Sequence, residues 1–129
     1  MPTPTKQTNP YLTRLSTVCL ALPEASITPQ GDHCTFRVRS KVFAYFLNNH
    51  HGDGIVAVCV RCPPGDNEDW IRTDPKRFYL PAYIGVRGWL GVRLDVGRVP
   101  WRAVADFVNE SYRLAAPRTL VATMPKQKA

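Results

Sequence analysis

The sequence has no long hydrophobic run, and no stretch approaches the roughly 20 apolar residues that a membrane-spanning helix needs. Acids are also scarce, with ten Asp and Glu against seventeen Lys and Arg. The resulting formal charge of +7 favours anionic partners such as nucleic acid, acidic protein surfaces or phosphorylated small molecules. No apolar run follows the lysine of the first residues, MPTPTKQTNPY. We therefore expect a monomeric cytoplasmic protein without a membrane segment.

The motifs of common enzymes are missing as well. No Ser or Cys lies in a nucleophile motif, and His33, His50 and His51 lack a carboxylate or cysteine at metal-ligand spacing. Cys59 and Cys62 spell C-V-R-C within a run of β-branched residues. Because residues three apart on a strand point to opposite faces, these two thiols cannot share one zinc ion. We expect no catalysis, no metal and no cofactor.

The length of 129 residues suits one packed domain. The Pro- and Thr-rich residues 1–8 predict a disordered N-terminal arm. Residues 9–118 carry the periodic patterns of a single domain, and residues 119–129 predict a mobile C-terminal tail.

Helical periodicity marks both ends of this domain. Asn9 and Pro10 are good helix-starting residues, and apolar residues recur at helical spacing to about residue 22. A second apolar stripe follows Pro100, and the acid-rich PPGDNEDW predicts a short helix between them. Alternating patterns predict five strands, near 34–39, 42–47, 55–62, 78–84 and 89–95. The order α-β-β-β-α-β-β-α indicates an α+β fold with helices packed on a mostly antiparallel five-stranded sheet.

The first predicted hairpin has a basic tip. With Ser40 and Lys41 as a two-residue turn, Arg37 and Arg39 share the solvent face and Lys41 lies at the tip. Four apolar residues then share the core face: Phe36, Val38, Phe43 and Tyr45. The loop before this hairpin contains Pro29 and Gly31.

The second predicted hairpin contains the glycine-rich run GVRGWLG. A phosphate cradle needs such glycines before a helix, whereas here a strand follows them. We therefore expect Gly85 and Gly88 to supply the positive φ of a short hairpin loop, and Gly91 to make room for a neighbouring side chain. The loop presents Arg87 between Tyr83 and Trp89. Trp89 and Arg93 share the face of the strand opposite its apolar face, and Trp89 either stays exposed there or packs beneath a helix.

Several segments together resemble the MmcQ/YjbR-like family of small bacterial proteins: ALPEA, HCTFRVRSKVFAYF, DPKRFYLPAYIGVRGWLGVRLD and ESYRLAAP. The resemblance spans roughly residues 12–120, and P-x-Y-x-G-x-x-G-W is its most specific part. It implies an α+β fold similar to frataxin-like sandwiches, and DNA binding through a double-wing arrangement of the two hairpins. The matching wing positions are Phe36, Arg37, Lys41, Phe43, Tyr83, Gly85, Gly88 and Trp89.

The sequence thus leads to a non-enzymatic protein that contacts the phosphates of duplex DNA through two basic wings. The candidate residues are Arg37, Arg39, Lys41, Lys76, Arg77, Tyr83, Arg87, Trp89 and Arg93. The alternative is a module that binds an acidic protein or a small anionic ligand on the aromatic and arginine surface around Trp89. A concave aromatic pocket beside Arg87 would favour this alternative, and a convex basic ridge would favour DNA.

Overall fold

The structure is a computed structural model that describes residues 9–49, 52 and 54–124. The predicted arm over residues 1–8, His50, His51 and the last five residues lie outside this part of the chain. The elements in chain order are α1 (Pro10–Leu20), β1 (Ala25–Gln30), β2 (His33–Val38), β3 (Lys41–Asn48), β4 (Val56–Arg61), α2 (Asp66–Thr73), β5 (Phe78–Tyr79), β6 (Trp89–Arg93), α3 (Trp101–Ala115) and α4 (Arg118–Val121).

The sheet has six antiparallel strands in the order β1-β2-β3-β4-β6-β5, so the predicted α+β class is confirmed with one more strand than expected. The added strand is β1, in the segment that Pro29 and Gly31 marked as a loop. Pro29 is tolerated there because β1 is an edge strand and has a neighbour on one side only. His33, also predicted in a loop, begins β2, and its Nδ1 accepts a hydrogen bond from the Asn48 amide.

The main core lies between the sheet and α1 and α3. The predicted stripe of α3 is confirmed, with Val104, Val108 and Tyr112 fully buried against sheet residues such as Phe43. The Tyr112 hydroxyl donates to the Pro23 carbonyl at 2.7 Å and so ties α3 to the segment before β1. Helix α4, with Leu120 buried, extends the packed chain beyond the predicted domain end at residue 118.

The first hairpin differs from its predicted register. Its turn is Arg39 and Ser40, with Arg39 at a φ of 56°, and Lys41 lies opposite Val38. A bulge between Phe36 and Arg37 in the pairing with β3 then shifts the alternation. Phe43 stays in the core, but the prediction for Tyr45 was wrong: it lies opposite Thr35, on the other face of the sheet.

The second hairpin is less regular than predicted. Strand β5 has only two residues, and residues 80–88 form a loop that contains Pro81 and a 3₁₀ turn over Gly85–Arg87. Gly88 has the expected positive φ, at 95°. The φ of Gly85 is not positive, so this part of the prediction was wrong; an added Cβ there would lie 2.5 Å from Leu80 Cγ and would displace the Leu80 side chain. At Gly91 the prediction is confirmed, since a Cβ there would lie 2.5 Å from Tyr79 Cζ.

Candidate nucleic-acid interface

Both predicted wings lie at one end of the sheet, which we call the wing end. The register pairs Val38 with Lys41 and Arg61 with Trp89, so the β2–β3 turn, the end of β4 and the loop over residues 80–88 are neighbours. The turn and the loop are three strand positions apart, which corresponds to about 14 Å. The topology therefore places the tips of the two hairpins at the same end of the sheet.

The nine candidate residues do not form one site. Four of them lie at the wing end or in its loops: Arg39, Lys41, Tyr83 and Arg87. Trp89 is the first residue of β6, at the same end of the sheet. Lys76, Arg77 and Arg93 lie at the opposite end, because β5 and β6 pair there through Phe78 and Val92. Arg37 lies near the wing end, and its Nη1 is 3.5 Å from Thr28 Oγ1 of β1.

Three of these arginines already have anionic or carbonyl partners. Arg39 forms a two-point ion pair with Glu24, and the hydrogen bond from Arg39 lowers the pKa of that carboxyl. Arg77 donates to two backbone carbonyls, of Arg93 at 2.7 Å and of Arg98 at 3.0 Å. These guanidiniums stabilise loops and turns, so they offer less charge to a ligand than their number suggests.

Arg93 is the third of them, and it pairs with Asp95 at 3.1 Å. Partial burial opposes the ionisation of Asp95, but hydrogen bonds from Arg93 and from the Val56 amide outweigh it and keep the pKa of Asp95 below its usual value. The carboxylate thus holds the end of β6 to the start of β4.

The two aromatic candidates differ in exposure. Trp89 is only 8% exposed and packs on Tyr45, with ring centroids 5.2 Å apart, so its indole is a packing residue and is not presented for stacking. Tyr83 is 84% exposed. The alternation in β6 placed Trp89 on the correct face but could not show that Tyr45 covers it.

Sequence reasoning missed Arg61. This exposed residue ends β4, between the two wings, and its backbone amide donates to Ser111 Oγ of α3 at 2.9 Å. Within the described chain, the side chains of Lys41, Arg61 and Arg87 make no hydrogen bond or ion pair. They follow one another across β3, β4 and the start of β6. The alternation of side chains along β4 was the available signal. Because Val60 points into the core, the next residue, Arg61, points away from it.

A cleft of about 440 Å³ adjoins this row of cations. One wall is the segment from Arg61 to Glu68, and the other is the loop around Arg87, with Leu114 of α3 between them. No aromatic side chain lines it, and Glu68 contributes a negative charge. The cleft is therefore concave but lacks the aromatic lining that the ligand-binding alternative requires.

Asn67 anchors the loop that carries Arg87. Its side-chain amide, buried in α2, donates to the carbonyls of Gly85 at 2.9 Å and Trp89 at 3.0 Å. The Cys62 amide donates to the Gly88 carbonyl at 2.9 Å and joins the same loop to the end of β4. These contacts tie the loop to α2 and to the end of β4.

The cysteines of the C-V-R-C motif lie in different surroundings. Cys59 Sγ is 3.9 Å from the Tyr79 hydroxyl, whereas Cys62 belongs to the core cluster, where burial raises its pKa to about 11. In the described ranges no three His, Cys, Asp or Glu side chains are grouped as metal ligands. None of the helices described has the length and hydropathy of a membrane span.

Comparisons with known proteins agree with this architecture. The YjbR family model matches residues 20–114, and the chain belongs to that family. The fold is also similar to the crystal structure of Deinococcus radiodurans protein DR2400, a DUF419 domain. That protein shares 22% sequence identity, with a TM-score of 0.67 over 84% of this chain and 80% of the other. No curated protein matches the sequence.

Proposed function

We propose that this YjbR-family protein binds duplex DNA without catalysis, as a cytoplasmic monomer, through phosphate contacts at the wing end. The observation that supports it is that three exposed cations without a protein partner in the described chain, Lys41, Arg61 and Arg87, lie at the same end of the sheet, on the two wings and on the end of β4 between them. The spacing of the wings, about 14 Å, is close to the width of the major groove, about 12 Å. Two tips at this spacing reach phosphates on both sides of a groove.

The proposal predicts weak binding with a defined salt dependence. Arg39 is neutralised by Glu24, so we count three phosphate contacts and not four. Each contact contributes about 0.9 to the slope of log K against log salt, which gives a slope of about −2.7. Base contacts are not required, so we expect a Kd in the range of non-specific binding, about 10⁻⁴ to 10⁻⁶ M.

Fluorescence anisotropy with a labelled duplex of about 20 base pairs, at salt concentrations from about 50 to 200 mM, tests this prediction. Arg87→Ala, Arg61→Ala and Lys41→Ala should each reduce the slope by about 0.9. Lys76→Ala is the matched control, because it removes the same charge from an exposed side chain at the opposite end of the sheet. The proposal fails if no duplex binds at the lowest salt, or if the control reduces the slope as much as Arg87→Ala.

A second candidate function is binding of a small anion in the cleft beside Arg87, where two cations, Arg61 and Arg87, line facing walls. Calorimetric titration with inorganic phosphate and with glutarate tests it. Saturable one-to-one binding that Arg87→Ala abolishes would support this function. The carboxylate of Glu68 in the same cleft weakens it, because that charge repels any anion seated there.

A further inference from the structure

The most exposed large apolar side chain identified in the described chain is Val86, at 86% exposure. It lies in the 3₁₀ turn of the loop over residues 80–88, directly before Arg87. Tyr83, also strongly exposed, is in the same loop. An isolated exposed valine needs no explanation by itself, but this one is at the tip of a wing and beside an unpaired cation.

Backbone hydrogen bonds flank Val86 on both sides. The Gly85 amide donates to the Pro81 carbonyl at 2.9 Å, and the Gly88 amide donates to Gly85 at 3.1 Å, so hydrogen bonds close the turn on both sides of Val86. The Leu80 side chain packs against the Cα of Gly85, and Asn67 holds the Gly85 carbonyl. A side chain presented by such a turn loses little conformational entropy when it inserts into a partner.

We propose that Val86 is an apolar wedge that inserts between base pairs of duplex DNA bound at the wing end, and thereby bends the duplex. The inference rests on the proposed DNA binding. Proteins that enter the minor groove bend DNA by combining cations on phosphates with an apolar side chain that unstacks a base step, so the wing that carries Val86 would enter the minor groove next to the phosphates that Arg87 contacts. Arg87 supplies the cation and Val86, its neighbour, the wedge. A protein partner fits less well, because valine is under-represented among interface hot spots and no aromatic side chain lines the adjacent cleft.

The experiment measures bending and affinity together. A duplex of about 20 base pairs with a donor and an acceptor at its ends reports the end-to-end distance by energy transfer, and anisotropy reports Kd and the salt slope. The unmodified protein should raise the energy transfer at saturation. Val86→Ala should return it to the value of free duplex, weaken binding about tenfold and leave the salt slope unchanged, because apolar contact is lost and charge is kept. Val86→Leu should keep the bend.

The outcomes separate the wedge from the DNA binding on which it rests. Duplex bound with the expected salt slope but unchanged energy transfer would overturn the wedge and leave DNA binding in place. Equal bending by Val86→Ala and by the unmodified protein would do the same. No binding of the duplex at about 50 mM salt would overturn both the wedge and the proposed DNA binding. The exposed Val86 would then be better explained by contact with a protein partner. Because Val86 is almost fully exposed, an unchanged melting temperature checks that Val86→Ala is folded.

Discussion

Asn67 offers the sharpest test of how the wing loop is held. This side chain is 4% exposed, and its amide donates to the carbonyls of Gly85 and Trp89, while its oxygen accepts from the Glu68 amide at 2.9 Å. Asn67→Ala removes both donors without changing any charge. Asn67→Asp keeps the size and the acceptor but replaces the donors by a second oxygen.

The cost of Asn67→Ala follows from the two carbonyls left behind. A buried carbonyl that loses its partner costs about 1–3 kcal/mol. The Gly85 carbonyl keeps the hydrogen bond from the Gly88 amide, so losing the Asn67 donor there lowers the free energy of unfolding by less, about 1 kcal/mol. We therefore expect the free energy of unfolding to fall by about 2–4 kcal/mol. Asn67→Asp should cost at least as much at neutral pH, because its carboxylate faces two carbonyl oxygens.

The pH dependence distinguishes the two variants. The carbonyls raise the pKa of the introduced carboxyl in the folded state above its unfolded value. Its protonated form is therefore favoured by folding, and the penalty grows as pH rises through the folded pKa. Below the unfolded pKa, about 4, the protonated carboxyl again has one donor, so part of the stability returns. Asn67→Ala has no such recovery.

Urea unfolding followed by tryptophan fluorescence, at neutral pH and near pH 4, measures these differences. Hydrogen exchange of the amides in residues 80–88 should become faster in both variants. Glu68→Ala, the exposed neighbour on α2, is the control and should change stability by less than about 0.5 kcal/mol. The reasoning is refuted if Asn67→Ala is as stable as the unmodified protein. It is also refuted if the difference in free energy of unfolding between Asn67→Asp and the unmodified protein does not become smaller at low pH.

Two further predictions concern the middle of β6 and the segment that follows it. Gly91→Ala should destabilise the fold by about 1–3 kcal/mol, since the new Cβ would overlap the Tyr79 ring. Thermal unfolding should show a much smaller loss of stability when the same change is made in a Tyr79→Ala background. Asp95→Asn should destabilise at neutral pH, because Arg93 and the Val56 amide favour the carboxylate and lower the pKa of Asp95. This contribution is present above the unfolded pKa and is lost as pH falls through the folded pKa, so unfolding curves of the two proteins should converge in acid.

Much of the fold was predictable because its signals are local. Spacing predicts the apolar stripe of α3, and the Asn9-Pro10 pair predicts the start of α1. Strand β1 was missed because Pro29 and Gly31 are also loop residues, and only its edge position makes the proline acceptable.

The errors at the site have a different origin, since they depend on contacts between distant segments. One bulged residue placed Tyr45 on the face where it covers Trp89, and no local pattern announces such a bulge. Arg77 bonds carbonyls 16 and 21 residues away, so its charge could not be assigned to loop stabilisation from spacing.

By itself, the sequence determined the α+β class, the YjbR resemblance and the positive net charge. It also determined two glycine positions, Gly88 in the tight turn and Gly91 in the strand. Only the tertiary structure decided which cations have partners and which lie at the same end of the sheet. Strand order and register bring Lys41, Arg61 and Arg87 together from three separate segments, and they place Lys76 and Arg77 at the other end. Composition reports how much charge a chain carries, but pairing between distant strands decides where that charge lies.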